Sequence, residues 1–321
     1  MKGKYRHLLP QLEGRRLFMT DGGLETTLIF HQGMDLPYFA AFDLLKDAHG
    51  TRVLEQYYER YAVMAQALHL GFVLEAPTWR ANSDWGALLG YDAAALAKAN
   101  REAIALMSRI RNAFETPVTP IVISGNLGPR GDGYRLGKHM NAEEAEAYHL
   151  PQIQTFADTD ADMVAGFTIN YVEEAVGIVR AANFCNIAVV ISFTLETDGR
   201  LPSGDTLQEA IEHTDAETAA AAEYYMINCA HPAHFQHTLQ YGESWLNRVR
   251  GLRANASRRS HAELDGSSDL DDGHPYELGM LYAELRAVLP QLSVVGGCCG
   301  TDERHVEEMC RAMAVPVADA H

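Results

Sequence analysis

Short apolar runs alternate with longer amphipathic segments along this chain, and the alternation limits its possible folds more than any other feature. We predict β-strands at residues 17–20, 72–76, 120–124, 163–168, 187–193, 224–229, 249–254 and 292–295. The segments between them have helical periodicity; in 92–114, for example, Leu96, Ala103 and Met107 share one face. Eight strands that alternate with helices predict a (β/α)8 TIM barrel, an α/β fold formed as a single domain by residues 1–321.

A doubly wound parallel sheet is the alternative fold. Its usual dinucleotide-binding loop has three spaced glycines, which the segment 21–25 lacks, and no Gly-Lys-Ser/Thr phosphate loop occurs. The barrel is preferred because chemically active residues follow the strands, at a rim where active sites lie. These residues are Asp21, Glu75, Asn126, Cys229, Asn255 and Cys298. The segment 258–273, rich in Ser, Asp and Gly, is predicted to be a long loop after the seventh strand.

Three of the five cysteines follow predicted strands. Cys298 and Cys299 are adjacent and lie between glycines after the last strand, and Cys229 ends the strand at 224–229. Three thiolates that meet at the ends of two strands can hold a zinc ion and leave its fourth position open, as catalytic zinc sites do. The other two cysteines do not cluster and are interpreted as small packing residues.

The charge of the chain excludes some partners. Its formal net charge of −17 argues against binding to nucleic acid or to an anionic membrane surface. No apolar run has the length of a signal peptide or of a transmembrane span. We therefore expect a cytoplasmic enzyme whose partners are small molecules; the sequence does not predict its oligomeric state.

Four segments together resemble the signatures of the homocysteine S-methyltransferase family. They are Asp21-Gly22-Gly23, Gly125-Asn126-Leu127-Gly128-Pro129, Asn228-Cys229 and Gly296-Gly297-Cys298-Cys299-Gly300-Thr301. The resemblance covers nearly the whole chain, and the cysteine trio is its most specific part. It implies a (β/α)8 barrel, Zn²⁺ on the three cysteines, and methyl transfer to homocysteine in methionine biosynthesis. The chain looks most similar to bacterial members that use a sulfonium donor, S-methylmethionine or S-adenosylmethionine.

The resemblance also implies how an amino-acid substrate is held. The backbone N–H groups of Gly22 and Gly23 would bind its carboxylate, and Asp21 would help to hold its ammonium group. Glycine fits this role because it lets the chain approach a ligand closely. Asn126 would either bind substrate or fix the loop that follows it.

The donor site is predicted from two neighbouring residues. Trp79 offers an aromatic face to a sulfonium, an interaction of roughly 0.5–2 kcal/mol, and Thr78 lies beside it. The alternative for Trp79 is simple packing at the rim.

One position departs from the family. Many members carry a Glu-Thr pair after the fourth strand, where the glutamate binds the substrate ammonium, but this chain has Phe167-Thr168. We predict that Glu75, at the end of the second strand, replaces that glutamate; Glu25 is the less favoured substitute. The other interpretation is that the acceptor is a different thiol or a selenol.

The chemistry follows from the ionisation of thiols. A free thiol, with a pKa of about 8.5, is only a few per cent ionised at pH 7. Zinc ionises it, and three cysteine thiolates keep the bound sulfur electron-rich and therefore nucleophilic. The reacting group would be the zinc-bound substrate thiolate, without a separate general base. A sulfonium donor leaves as a neutral thioether, so no general acid is needed either.

Two alternative functions of the cysteines belong to other classes of protein. A structural or storage zinc protein would need four protein ligands and would unfold on chelation. A redox switch would form a disulfide between Cys298 and Cys299.

Overall fold

Eight parallel strands close into a barrel in the computed structural model, which describes residues 3–14, 16–265 and 269–314. The strands are Phe18–Met19 (β1), Gly71–Glu75 (β2), Ile121–Leu127 (β3), Met163–Ile169 (β4), Ala188–Thr194 (β5), Tyr224–Asn228 (β6), Val249–Ala254 (β7) and Val294–Gly297 (β8). Each strand pairs with the next along the chain, and β1 closes the barrel against β8. All eight predicted strands are present, and the predicted (β/α)8 barrel is confirmed.

Helices cover the outside of the barrel. The α-helices are Leu24–Thr26 (α1), Ala48–Ala67 (α2), Ser83–Leu88 (α3), Ala93–Phe114 (α4), Ala142–Ala157 (α5), Val172–Phe184 (α6), Leu207–Thr218 (α7), Pro232–Phe235 (α8), His261–Asp265 (α9), Pro275–Val288 (α10) and Glu303–Ala314 (α11). Short 3-10 turns lie at Pro10–Leu12, Pro37–Phe39, Ala41–Lys46, Gln236–Thr238 and Ser244–Arg248, and a π-helical turn at Thr27–His31. None of the helices described is both long and apolar enough to cross a membrane.

Capping residues fix where several helices begin. The Asp92 carboxylate accepts a hydrogen bond from the N–H of Ala95 and so opens α4. Asn141 and Glu144 form the reciprocal capping box expected from the sequence at the start of α5. Pro151 lies inside α5, as the sequence placed it.

Two segments differ in detail from the sequence-based expectation. Residues 231–240, which follow the sixth predicted strand, are expected from the sequence to form a helix, but they form only the single turn α8 and a 3-10 turn. The long loop predicted over 258–273 contains the short helix α9; within it, residues 266–268 lie outside the described part of the chain. Ser260 and Glu263 form the reciprocal hydrogen bonds that open α9, a capping signal that is visible in the sequence.

The barrel interior is filled at one end and open at the other. Apolar side chains that point inward include Phe18, Val122 and Met226, which belong to one buried cluster. The N-terminal segment closes the bottom, where the Gln11 amide contacts the Met163 sulfur and the Tyr224 hydroxyl. The opposite end, where the strands finish, is left to form the site.

Candidate active site

Three thiols converge at the C-terminal end of the barrel. The sulfurs of Cys229, Cys298 and Cys299 all lie within 4.8 Å of one another, and over the described residues no other group of His, Cys, Asp or Glu is as well placed to hold a metal ion. Cys229 and Cys298 are linked as a disulfide, and Cys299 is free. The pairing therefore differs from the Cys298–Cys299 bond that a redox switch was expected to form.

The position of Cys229 depends on the residue before it. Cys229 adopts a left-handed backbone conformation, with φ of 54°, directly after β6. The Asn228 amide donates to the Cys229 sulfur at 3.2 Å and to the Thr168 hydroxyl at 2.9 Å, while its oxygen accepts from Thr168 N–H and from the Ser192 hydroxyl. Strands β4, β5 and β6 are thereby joined at the point where the thiol emerges.

The cysteine pair stands on a tightly packed turn after β8. A Cβ atom on Gly296 would collide with the Thr20 hydroxyl, and one on Gly297 with the Thr301 hydroxyl, so only glycine fits. The Cys298 N–H donates to the Ala254 carbonyl at the end of β7. Both thiols of the pair are thus fixed by backbone packing.

The donor set fits a zinc ion that keeps an open position. The three sulfurs are one donor short of a structural tetrahedral site, and no fourth His, Cys or carboxylate joins them among the residues described. Burial raises the pKa of the Cys299 thiol to about 11, whereas a coordinated cation deprotonates a thiol outright. The site is chemically suited to a thiophilic divalent metal.

Tyr134, on the loop after β3, contacts the thiols and is packed against His261 of α9. The Tyr134 hydroxyl lies 3.5 Å from the Cys229 sulfur and 3.8 Å from the Cys299 sulfur. Its ring stacks on the His261 ring, with centroids 4.1 Å apart. No role for Tyr134 can be predicted from the sequence, because contacts between separate segments leave no local pattern.

A cavity of about 520 Å³ opens from the thiols to the rim. Its walls include all the predicted site residues except one: Asp21, Gly22, Gly23, Glu75, Asn126, Trp79, Cys229, Cys298 and Cys299. The exception is Thr78, predicted to lie in the donor site. Thr78 is fully buried outside the cavity wall, and its hydroxyl donates to the Asn126 carbonyl at 2.8 Å.

An arginine that sequence reasoning missed lies in the middle of the site. Arg253 on β7 forms ion pairs with Asp21, at 2.8 Å, and with Glu75. Its guanidinium also donates to the carbonyls of Gly22 and Gly297. An arginine near the carboxyl end of a predicted strand, where active-site residues of a barrel lie, was the available signal.

These contacts engage the groups predicted to bind an amino acid. The carboxylates of Asp21 and Glu75 are both paired with Arg253. The Gly23 N–H donates to the Thr301 carbonyl at 3.0 Å, and the Gly22 backbone lies in polar contact with the Tyr61 hydroxyl. The substrate-binding roles of Asp21, Gly22, Gly23, Glu75 and Asn126 stay predictions.

Phe167 lies in the cavity wall, where the sequence placed the departure from the family. Its ring centroid is 5.4 Å from the Arg253 guanidinium carbon. The side chain at this position is therefore apolar and faces a cation, where the family pattern has a carboxylate.

Trp79 is part of a stack. The Arg80 guanidinium lies between the rings of Trp79 and Trp85, at 3.9 Å from each centroid. The Trp79 indole N–H donates to the Phe167 carbonyl at 3.3 Å. One face of Trp79 is therefore occupied by a cation of the protein, so that face is not available to a sulfonium.

Glu25 is another acidic group on the cavity wall. It stands at the start of α1, beside the turn that carries the cysteine pair, and is partly exposed to the cavity. Burial raises the pKa of Glu25 to about 7, with Asp21 raising it further and Arg253 and Arg80 lowering it. No ion pair joins Glu25 to another side chain in the described structure.

Sequence comparison connects this arrangement to known proteins. A model of the family described as homocysteine S-methyltransferase matches residues 18–313. The homocysteine S-methyltransferase of Escherichia coli strain K12 is 27% identical over 216 residues, which are 62% of this chain and 66% of that protein. Homocysteine S-methyltransferase 2 of Zea mays is 24% identical over 212 residues, 62% of this chain and 60% of that protein. Each match thus spans slightly less than two thirds of the relative.

Solved structures show the same fold over a longer range. The oxidised form of the homocysteine methyltransferase MmuM from Escherichia coli matches with a TM-score of 0.71 and 19% identity, covering 95% of this chain and 98% of that one. The metallated form of MmuM matches with a TM-score of 0.69 and 19% identity, covering 93% and 96%. At this level of identity the likeness concerns the barrel and its connections.

Proposed function

The chain belongs to the homocysteine S-methyltransferase family, and on that premise we propose that it methylates the thiol of homocysteine, with a zinc ion held by Cys229, Cys298 and Cys299. The observation that carries the proposal is the convergence of three sulfurs within 4.8 Å of one another at the floor of a cavity. The related MmuM has been solved in a metallated form, which supports a metal in this arrangement.

The cysteines and their neighbours would prepare the acceptor sulfur. A zinc ion on these thiolates supplies the positive charge that ionises a substrate thiol at neutral pH. Asn228 and Tyr134 donate hydrogen bonds toward the cysteine sulfurs and so orient them. Both groups lie on the cavity side of the strand ends, where the acceptor must enter.

The charge around the cavity favours a cationic methyl donor. Asp21 and Glu75 carry two negative charges against the one positive charge of Arg253, which leaves one net negative charge beside the thiols. A sulfonium is attracted to this charge and leaves as a neutral thioether, so no proton donor is required. We therefore propose S-methylmethionine or S-adenosylmethionine as the donor.

The test is product formation by reduced, zinc-loaded protein. Homocysteine is offered with S-methylmethionine, S-adenosylmethionine or betaine, and methionine is measured. Cys229→Ser should lose both bound zinc and activity, while Cys185→Ser, which alters a free cysteine away from the cavity, should keep both. Full activity in metal-free protein would overturn the zinc proposal. A reductant is required because the Cys229–Cys298 disulfide removes two of the three thiolates.

Phe167 favours one second candidate, a methyltransferase of the same family with another thiol or selenol as acceptor. The wall that carries a glutamate in many members is apolar here and faces Arg253. Competition between homocysteine and other thiols in the same assay decides between the two. A higher kcat/KM for a thiol without an α-ammonium group would favour the second candidate.

A further inference from the structure

Two oppositely charged side chains on the cavity wall are not used by the zinc site. Arg80 stands after β2 and Glu25 stands on α1, and both line the same cavity. Arg80 lies near several acidic groups of this wall: its pKa is lowered by burial and raised in turn by Tyr134, Asp132 and Glu25. Arg80 and Glu25 do not form an ion pair with each other in the part of the chain that is described. A ligand that carries both charges can therefore lie between them.

Arg80 is held rigidly and keeps a free donor. Its guanidinium is clamped between Trp79 and Trp85, and one terminal nitrogen donates to the Gly131 carbonyl at 3.1 Å. The residue is only 5% exposed, yet its Nε atom has no hydrogen-bond partner. A buried guanidinium donor without a partner is costly, and a carboxylate that reached this side chain from the cavity would offset the cost with a charged hydrogen bond.

Glu25 offers a negative charge to the cavity, opposite in sign to the charge of Arg80. It faces the cavity from the helix next to the cysteine turn, and the Thr26 hydroxyl beside it accepts a hydrogen bond from Gly300 N–H. Two other carboxylates of the site, Asp21 and Glu75, are already paired with Arg253. Asp132 and Asp271, which also line the cavity, accept hydrogen bonds from the Tyr134 N–H and from the Ser257 hydroxyl. Glu25 has no ion pair with a side chain of the described residues, so its carboxylate can receive an ammonium group.

We propose that Arg80 and Glu25 together bind the α-amino-acid group of a substrate, Arg80 taking the carboxylate and Glu25 the ammonium. The inference rests on the proposed function and assigns to Glu25 the role that the sequence suggested for Glu75. An α-amino acid carries both charges on one carbon, which matches two opposed side chains that do not pair with each other. Homocysteine and the two sulfonium donors all contain this group.

The experiment combines variants with substrates that lack one charge. KM is measured for homocysteine, for 4-mercaptobutanoate, which has no ammonium, and for 3-mercaptopropylamine, which has no carboxylate. Arg80→Met should raise KM for homocysteine by about 10- to 100-fold, the usual effect of losing a charged hydrogen bond, and leave that for 3-mercaptopropylamine within about twofold. Glu25→Gln should raise KM for homocysteine similarly and leave that for 4-mercaptobutanoate unchanged.

A second arm identifies which substrate is held. KM for S-methylmethionine is compared with that for trimethylsulfonium, which has no amino-acid group. If the variants raise KM only for S-methylmethionine, the pair binds the donor; if they raise KM only for homocysteine, it binds the acceptor. Equal changes for the complete substrates and for those lacking the matching charge would overturn the proposal.

Controls separate misfolding and failure of the proposed function. Arg101→Met and Glu102→Gln alter an exposed arginine and an exposed glutamate on α4, away from the cavity, and should change nothing. If Arg80→Met does not fold, Arg80→Lys keeps the charge but loses the planar donors, and should still raise KM.

Equilibrium dialysis with labelled homocysteine and S-methylmethionine measures the binding of each substrate without turnover. If the variants weaken binding of the charged substrates but no methyl transfer occurs, the proposed function is rejected and this inference is kept. If methyl transfer occurs and the variants leave KM unchanged, the proposed function is kept and this inference is rejected.

Discussion

At the scale of single residues, Asn228 is the side chain that connects the fold to the proposed metal site. Its amide binds the Cys229 sulfur, and its other hydrogen bonds reach β4 and β5. Residues that orient metal ligands in this way typically contribute about 10- to 100-fold to metal affinity. Asn228 should therefore affect the affinity of the site for zinc strongly, although it is not itself a metal ligand.

We expect Asn228→Ala to weaken zinc binding by about 10- to 100-fold, because the Cys229 thiolate loses its hydrogen-bond donor. The measurement is a zinc competition titration under reducing conditions. Asn183→Ala, on the exposed face of α6, is the matched control and should bind zinc like the unaltered protein. Unchanged affinity in Asn228→Ala would show that the hydrogen bond does not orient the ligand.

A pH dependence follows from Glu25. Its pKa of about 7 is set by burial, with smaller effects from Asp21, Arg253 and Arg80. The ionised form, which would bind an ammonium group, is present above pH 7 and is lost as the pH falls below it. The ratio of kcat/KM for homocysteine between the unaltered protein and Glu25→Gln should thus be largest above pH 7 and fall toward one at pH 5. A constant ratio would contradict this assignment.

At the scale of elements, Arg253 joins three strand ends across the rim. It stands on β7, and its two carboxylate partners follow β1 and end β2. A buried ion pair is weak evidence for stability in itself, but removal of one member leaves uncompensated charge. The stability of the rim therefore depends on all three charged side chains being present.

We expect Arg253→Met to lower the free energy of unfolding by about 3–5 kcal/mol, because Asp21 and Glu75 lose their partner. Urea denaturation measures the change. Adding Glu75→Gln should recover part of the loss, since one buried charge is removed. Arg250→Met, in the same strand but partly exposed, is the control and should have a much smaller effect. A double variant less stable than Arg253→Met would contradict this account.

At the scale of the whole molecule, the barrel forms a complete fold around its own core, and the proposed zinc ion lies at its rim. The sheet closes through β1 and β8 without any contribution from the thiols. A metal that binds only the folded protein adds stability according to its concentration, about 4 kcal/mol at a thousand times its Kd. Zinc should stabilise this chain without being needed for its folding.

Chelation of zinc-loaded, reduced protein should therefore lower Tm but leave the circular dichroism of a folded barrel at 25 °C. A structural zinc site predicts unfolding instead. Thermal unfolding with and without a chelator distinguishes the two. Cys229→Ser is the control: its Tm should not respond to zinc or to the chelator.

The sequence by itself determined the barrel, because strands and helices follow from the local periodicity of apolar residues, and the chain order of alternating elements leaves few topologies. It also predicted that Cys229 and the Cys298–Cys299 pair meet, since residues that follow parallel strands share one rim. The helix caps at Asp92 and at Asn141 are local signals as well, because each cap bonds to a backbone N–H only three residues further on.

Only the tertiary structure decided which charges are paired. Asp21, Glu75 and Arg253 are far apart in the chain, and nothing local to any of them indicates the other two. The same holds for the position of Glu25, whose charged neighbours Arg80 and Arg253 lie far from it in the chain. Pairing and burial depend on distances across the barrel, which periodicity does not encode, so the sequence predicted where the site lies, and the fold decided which side chains in it remain available to a substrate.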